Sequence, residues 1–131
     1  MTGSSSVILL LAAAAMATAC GSDMVTQPQD VRFPDSNVSY RGQVQPFLAV
    51  TCATGGCHGE INPAGGIRLG SYSPLFIDRP NLVVVGKPDE SLVIQVLEGI
   101  MPHPVGNLVG RVSENHRRGM RRWILEGALN N

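Results

Sequence analysis

The stretch Cys52-Ala53-Thr54-Gly55-Gly56-Cys57-His58-Gly59 decides how this chain is read. Two thiols followed at once by an imidazole match what covalent haem attachment needs. Each thiol adds across one vinyl group of the porphyrin, and a histidine beside the second attachment point reaches the iron. The usual spacing is C-x-x-C-H, and here the loop is two residues longer, C-x-x-x-x-C-H. Cys57 and His58 stay adjacent, which fixes where the iron ligand stands, while Gly55 and Gly56 give the longer loop freedom to bulge. Two other readings stay open on these residues alone. A disulfide between Cys52 and Cys57 suits an exported protein but leaves His58 without a role. Zinc needs a fourth ligand, and adjacent cysteine and histidine serve one tetrahedron poorly.

Working outward, the chain of 131 residues has room for one compact domain. Residues 1–19 hold the apolar run from Val7 to Met16, too short to span a bilayer and of the length of a signal-peptide core, although residues 1–6 carry no Lys or Arg. Ala17-Thr18-Ala19-Cys20 resembles the lipobox of bacterial lipoproteins, with Ala17 where leucine is commonest. The resemblance implies cleavage before Cys20 and a lipid on its thiol; an ordinary secretory signal would be cut at the same bond. Either way the protein is expected to be exported, to the periplasm or the outer face of a bacterial membrane. Residues 20–38 are polar, contain Pro28 and Pro34, and read as a tether. The domain is expected over residues 39–131. Without the leader its core is small, so a covalent or metal staple would help. Ten basic and ten acidic residues balance to zero, and nothing supports nucleic-acid binding.

The periodicity predicts short helices and an all-α fold. Tyr40, Val44, Phe47 and Leu48 share one face of a first helix, which Pro46 either kinks or starts near Gln45. Residues 59–81 are rich in Gly and Pro and read as ordered loop; residues 83–85 read as a short extended piece. A second helix is signalled by Pro88, Asp89 and Glu90 at its start, the stripe Leu92, Val93, Val96 and Leu97, and Gly99 past its end. The third starts at Ser113 as N-cap and ends before Gly127. Its inner side carries His116, Met120, Trp123 and Ile124. The other side carries Arg117, Arg118, Arg121 and Arg122, a basic face for docking an acidic partner or a solvated one, with Arg122 spaced to pair with Glu126.

These motifs, in this order, resemble the c-type cytochrome domains of the planctomycete-type and related bacterial groups. The shared features are C-A-x-x-G-C-H-G at Cys52 to Gly59, G-G-x-x-L at Gly65 to Leu69, and G-x-P-x-x-S-L at Gly86 to Leu92. Met101-Pro102 and the terminal W-I-x-x-G-A from Trp123 complete the set, so the resemblance spans roughly residues 39–129. It implies a cytochrome c-like fold around one covalent haem c on Cys52 and Cys57, with His58 as proximal and Met101 as distal iron ligand. It also implies an electron carrier rather than an enzyme, with redox proteins as partners and the membrane reached through the lipid anchor. Trp123 resembles the aromatic that packs the last helix on the first in class I cytochromes c. His103 is the rival distal ligand; Pro102 and Pro104 bracket it, so it and Met101 are not expected to face the iron together. His116 is a further alternative but is expected to pack between helices. An open or histidine-filled distal site would instead suit a small-ligand sensor or a peroxidase-like activity. The haem-free alternative is a secreted binding domain stapled by the disulfide.

Overall fold

The computed structural model describes residues 24–131, so the expected signal peptide over residues 1–19 and lipidation at Cys20 lie outside the described residues. Among those residues the chain is helical and contains no strand. Four α-helices follow in order: α1 (Gln45–Thr51), α2 (Pro74–Ile77), α3 (Leu92–Leu97) and α4 (Glu114–Leu125). Short 3-10 turns at Pro28–Asp30, Ala64–Gly66 and Pro88–Glu90 join them. None is long and apolar enough to cross a membrane.

Pro46 explains where α1 starts. A proline lacks the N–H that the interior of a helix requires but is harmless in the first turn. The chain enters through a wider π-type turn, Tyr40–Val44, and becomes α-helical at Gln45. Ser39 opens the turn by accepting a hydrogen bond from the Gly42 backbone N–H at 3.0 Å.

α4 is the long element and forms as its sequence predicts. The Ser113 hydroxyl accepts from the His116 N–H at 3.2 Å, and the Ser113 N–H donates to His116 Nδ1 at 3.1 Å. This is a capping box in which an imidazole replaces the usual carboxylate. Below it, His116, Met120, Trp123 and Ile124 are buried. Trp123 lies against Tyr40 with ring centres 5.8 Å apart, so the last helix packs on the π-type turn that leads into α1. Its indole N–H donates to the Leu129 carbonyl at 3.0 Å.

Four expectations are corrected. The tether over residues 20–38 is in large part a docked strap: Val31, Phe33 and Val38 are buried, and Val25 packs on the core. Two backbone hydrogen bonds of 2.9 Å tie Phe33 to the Asn115 side chain. The Phe33 ring lies directly over Gly119, where any Cβ would overlap it. The strap was hidden because its apolar residues come singly among polar ones, with no helical or strand period. Second, residues 83–85 form a turn; the Val84 N–H donates to the buried Ser91 hydroxyl at 2.9 Å instead of to a ladder. Third, the loop over residues 59–81 contains α2, which Pro74 opens. Fourth, Glu126 does not pair with Arg122; its carboxylate accepts from the backbone N–H groups of Asn37 and Val38, both at 2.9 Å.

Candidate cofactor site

The segment after α1 is built by backbone hydrogen bonds. Cys52 and Ala53 both donate to the Leu48 carbonyl at 2.9 Å, which closes the helix. The chain then loops out and returns: Cys57 N–H donates to Thr54 at 3.0 Å, and His58 N–H donates to Cys52 at 3.0 Å. Gly56 makes the return possible at φ 78°, a left-handed conformation that costs a side-chain-bearing residue. The six-residue span between the thiols thus closes into a turn that sets His58 beside Cys52. Further on, Leu69 N–H donates to the His58 carbonyl at 2.9 Å.

The His58 ring is held as well as its backbone. Nδ1 lies 2.9 Å from the Ile67 carbonyl. A carbonyl only accepts, so Nδ1 carries the proton and Nε2 keeps a free lone pair. A metal-binding histidine needs that arrangement, with the second nitrogen fixing both tautomer and ring orientation.

These residues open onto a cavity of about 380 Å³, within the roughly 300–1,000 Å³ usual for small-molecule sites. Cys52, Cys57 and His58 line it from one side of the sequence. The predicted stripe of α3 (Leu92, Val93, Val96 and Leu97) lines it too, with Ile67, Leu69 and Leu82 added by the intervening loops. The lining is overwhelmingly aliphatic. Burial pushes the Cys52 thiol up to about 12, with Cys57 contributing in the same direction. Cys52 is therefore a protonated thiol at neutral pH rather than a thiolate ready to bind a metal or attack. Both cysteines are free.

Met101 and His103 both line the cavity. The backbone turns after His103, with the Gly106 N–H donating to the His103 carbonyl at 2.8 Å. The His103 ring stands 5.9 Å from that of His58, centre to centre, at 68°. His116 is removed from the site: it is buried, its Nε2 lies 3.0 Å from the Val31 carbonyl, and its ring lies against Phe47.

One lining residue carried no signal in the sequence. Arg79 is the single cation on the wall of this cavity among the described residues. It is exposed and joins no ion pair among them. A lone arginine in a Gly- and Pro-rich loop has no period or partner to mark it.

The basic face of α4 is less free than its sequence suggests. Arg117 bonds to Glu114 and to the carbonyls of Val109 and Val112, and Arg121 bridges Glu98 and Asp89. Arg118 and Arg122 remain exposed and line a polar groove with Pro34 and Asp35. No residue of that groove belongs to the aliphatic cavity. No group of three or more His, Cys, Asp or Glu side chains among the described residues is placed to hold a metal ion.

Compared with known proteins, the chain matches no family model, no curated protein and no solved structure.

Proposed function

We propose that this domain is a single-haem c-type cytochrome of cytochrome c-like fold, an exported electron carrier held at a membrane through a lipid on Cys20. One observation carries the reading. Two thiols, an imidazole with a free Nε2 lone pair and a thioether from a distant loop all line the same aliphatic cavity. Neither a disulfide nor a zinc site needs that cavity. The donor set also fits the group: thiols to attach it, nitrogen and sulfur ligands that suit iron, aliphatic walls for the ring, and Arg79 at the wall to receive a carboxylate.

In this reading Cys52 and Cys57 would carry the thioether bonds. His58 would give its Nε2 to the iron, oriented by the Ile67 carbonyl, and Met101 would give its sulfur. The α3 stripe with Ile67 and Leu69 would exclude water from the ring. When bound, the haem supplies a one-electron couple between ferric and ferrous iron, and a thioether opposite an imidazole favours the ferrous state. With His58 and Met101 both given to the iron, no position would be left for a substrate, and the chemistry would be electron exchange with protein partners. The docked strap changes how such partners are met. Four residues lie between Cys20 and Val25, a reach of about 18 Å at full extension, so a lipid on Cys20 would hold the domain close to the membrane. Electrons would be delivered by partners that come to it.

The test is expression in a host with cytochrome maturation machinery, followed by denaturing electrophoresis with haem-dependent peroxidase staining. A stained band that is lost in the variant C52A/C57A is expected. A protein without covalent haem overturns the reading and leaves the haem-free, disulfide-stapled binding domain. A ferric spectrum that changes on adding cyanide at once and stoichiometrically would instead show an open iron, as in a sensor or peroxidase-like protein.

A further inference from the structure

Three features around the distal loop go together. His103 and Met101 line the same cavity wall, two residues apart. The spacing of the His103 and His58 rings, 5.9 Å between centres, is close to the roughly 6 Å spanned when two imidazoles share one metal through bonds of about 2 Å each. A second cavity of about 240 Å³ is lined by Val96, Gly99, Met101, Pro102, His103 and Leu108 among others. Met101 and His103 thus border two spaces, one of which is also lined by His58.

We infer that Met101 and His103 take turns as the distal ligand, with the oxidation state of the iron choosing between them and the second cavity receiving the side chain not in use. This rests on the haem reading above. A polarizable thioether suits ferrous iron, whereas imidazole is the harder ligand and suits ferric iron. Much of the loop faces solvent, and the His103 ring is weakly held. Pro102, Pro104, Val105, Gly106 and Asn107 are exposed, and the hydrogen bond holding the His103 ring, from the Val105 N–H to Nδ1, is 3.3 Å long, beyond the usual range.

The balance is simple. On oxidation one electron leaves to a one-electron acceptor protein, the bond from iron to the Met101 sulfur breaks, and a bond from iron to His103 Nε2 forms. In the structure His103 Nδ1 accepts from Val105, so the ring proton sits on Nε2. Ligation moves it to Nδ1 and gives up that one hydrogen bond. The imidazole stays neutral, and no proton is taken up or released. Reduction reverses each change.

The test uses the purified holoprotein and reads ligation rather than activity. The near-red band of ferric iron bound to sulfur should appear within the mixing time when the ferrous protein is rapidly oxidised, then decay to a spectrum of two nitrogen ligands. In His103→Ala, or His103→Asn should the alanine variant fold poorly, the band should persist. In Met101→Ala it should never appear, and voltammetry should give one reversible couple at lower potential. Wild type should show peak separation that grows with scan rate beyond that of Met101→Ala. A stable ferric sulfur band in wild type, unchanged in His103→Ala, overturns the exchange while leaving the haem reading intact. Wild type that coincides with Met101→Ala in both oxidation states also overturns it. A protein with no covalent haem overturns both.

Discussion

At the scale of single residues, the three histidines divide by what their Nδ1 atoms do. His58 donates to a carbonyl, His103 accepts from a backbone N–H, and His116 accepts from the Ser113 N–H. Only the first is left with a free Nε2 lone pair on the cavity wall. His116 spends both nitrogens on structure, its Nε2 meeting the Val31 carbonyl. His116→Ala should therefore lower stability by about 1–3 kcal/mol, the cost of leaving buried polar partners unmet, while the visible spectrum of the haem-loaded protein stays unchanged. Denaturant titration and absorption on one sample check both. A change of axial ligation in this variant would contradict the assignment.

At the scale of elements, the docked strap and the ion-paired loop hold the helices. Phe33 is buried beneath α4 and meets Phe47 edge-on with ring centres 5.7 Å apart. Phe33→Ala should cost about 3–5 kcal/mol, measured by urea unfolding; a free tether would lose almost nothing. The loop leading into α2 is closed by Asp78, whose carboxylate accepts from the Arg68 N–H and Nε at 2.9 Å and from Nη2 at 2.7 Å. Those hydrogen bonds, from the guanidinium first and the backbone second, hold the Asp78 carboxyl below its ordinary value of 3.8. A depressed carboxylate stabilises the fold above the unfolded-state value, and that contribution fades as pH falls through the folded one. Asp78→Asn should thus be less stable than wild type at neutral pH, and the gap should narrow below 3.8. Unfolding curves across that range provide the check; a gap independent of pH would show that the charge contributes nothing.

At the scale of the molecule, the cavity is where a bound group would add to stability. A closed cavity of about 380 Å³ would cost on the order of 9 kcal/mol at about 24 cal/mol per Å³, comparable to the 5–15 kcal/mol that holds a whole domain. The mouth is open to water, so the true cost is smaller, but the comparison shows why a filled cavity matters here. The variant C52A/C57A, made without covalent haem, should melt at a markedly lower temperature than the haem-loaded protein and regain part of the difference on adding free haem. Equal melting temperatures would mean that the fold does not depend on a bound group. For partners, the groove beside Arg118 and Arg122 shares no residue with the aliphatic cavity.

The sequence by itself determined the local devices. The capping residues of α4, the apolar stripe of α3, the start of α1 at Gln45 with Pro46 in its first turn, and the adjacency of Cys57 and His58 each depend on spacing within a few residues. The structure keeps all of them. Tertiary structure alone decided what meets across the fold. The strap from Val25 to Val38, the Ile67 carbonyl that sets the His58 tautomer, and Arg79 on the wall are contacts between residues 9 to 89 positions apart or alone in a loop. So is the arrival of both Met101 and His103 at one cavity. Such contacts leave no period in the chain, because they are fixed by how short helices and hydrogen-bonded turns close on one another rather than by any repeat along them.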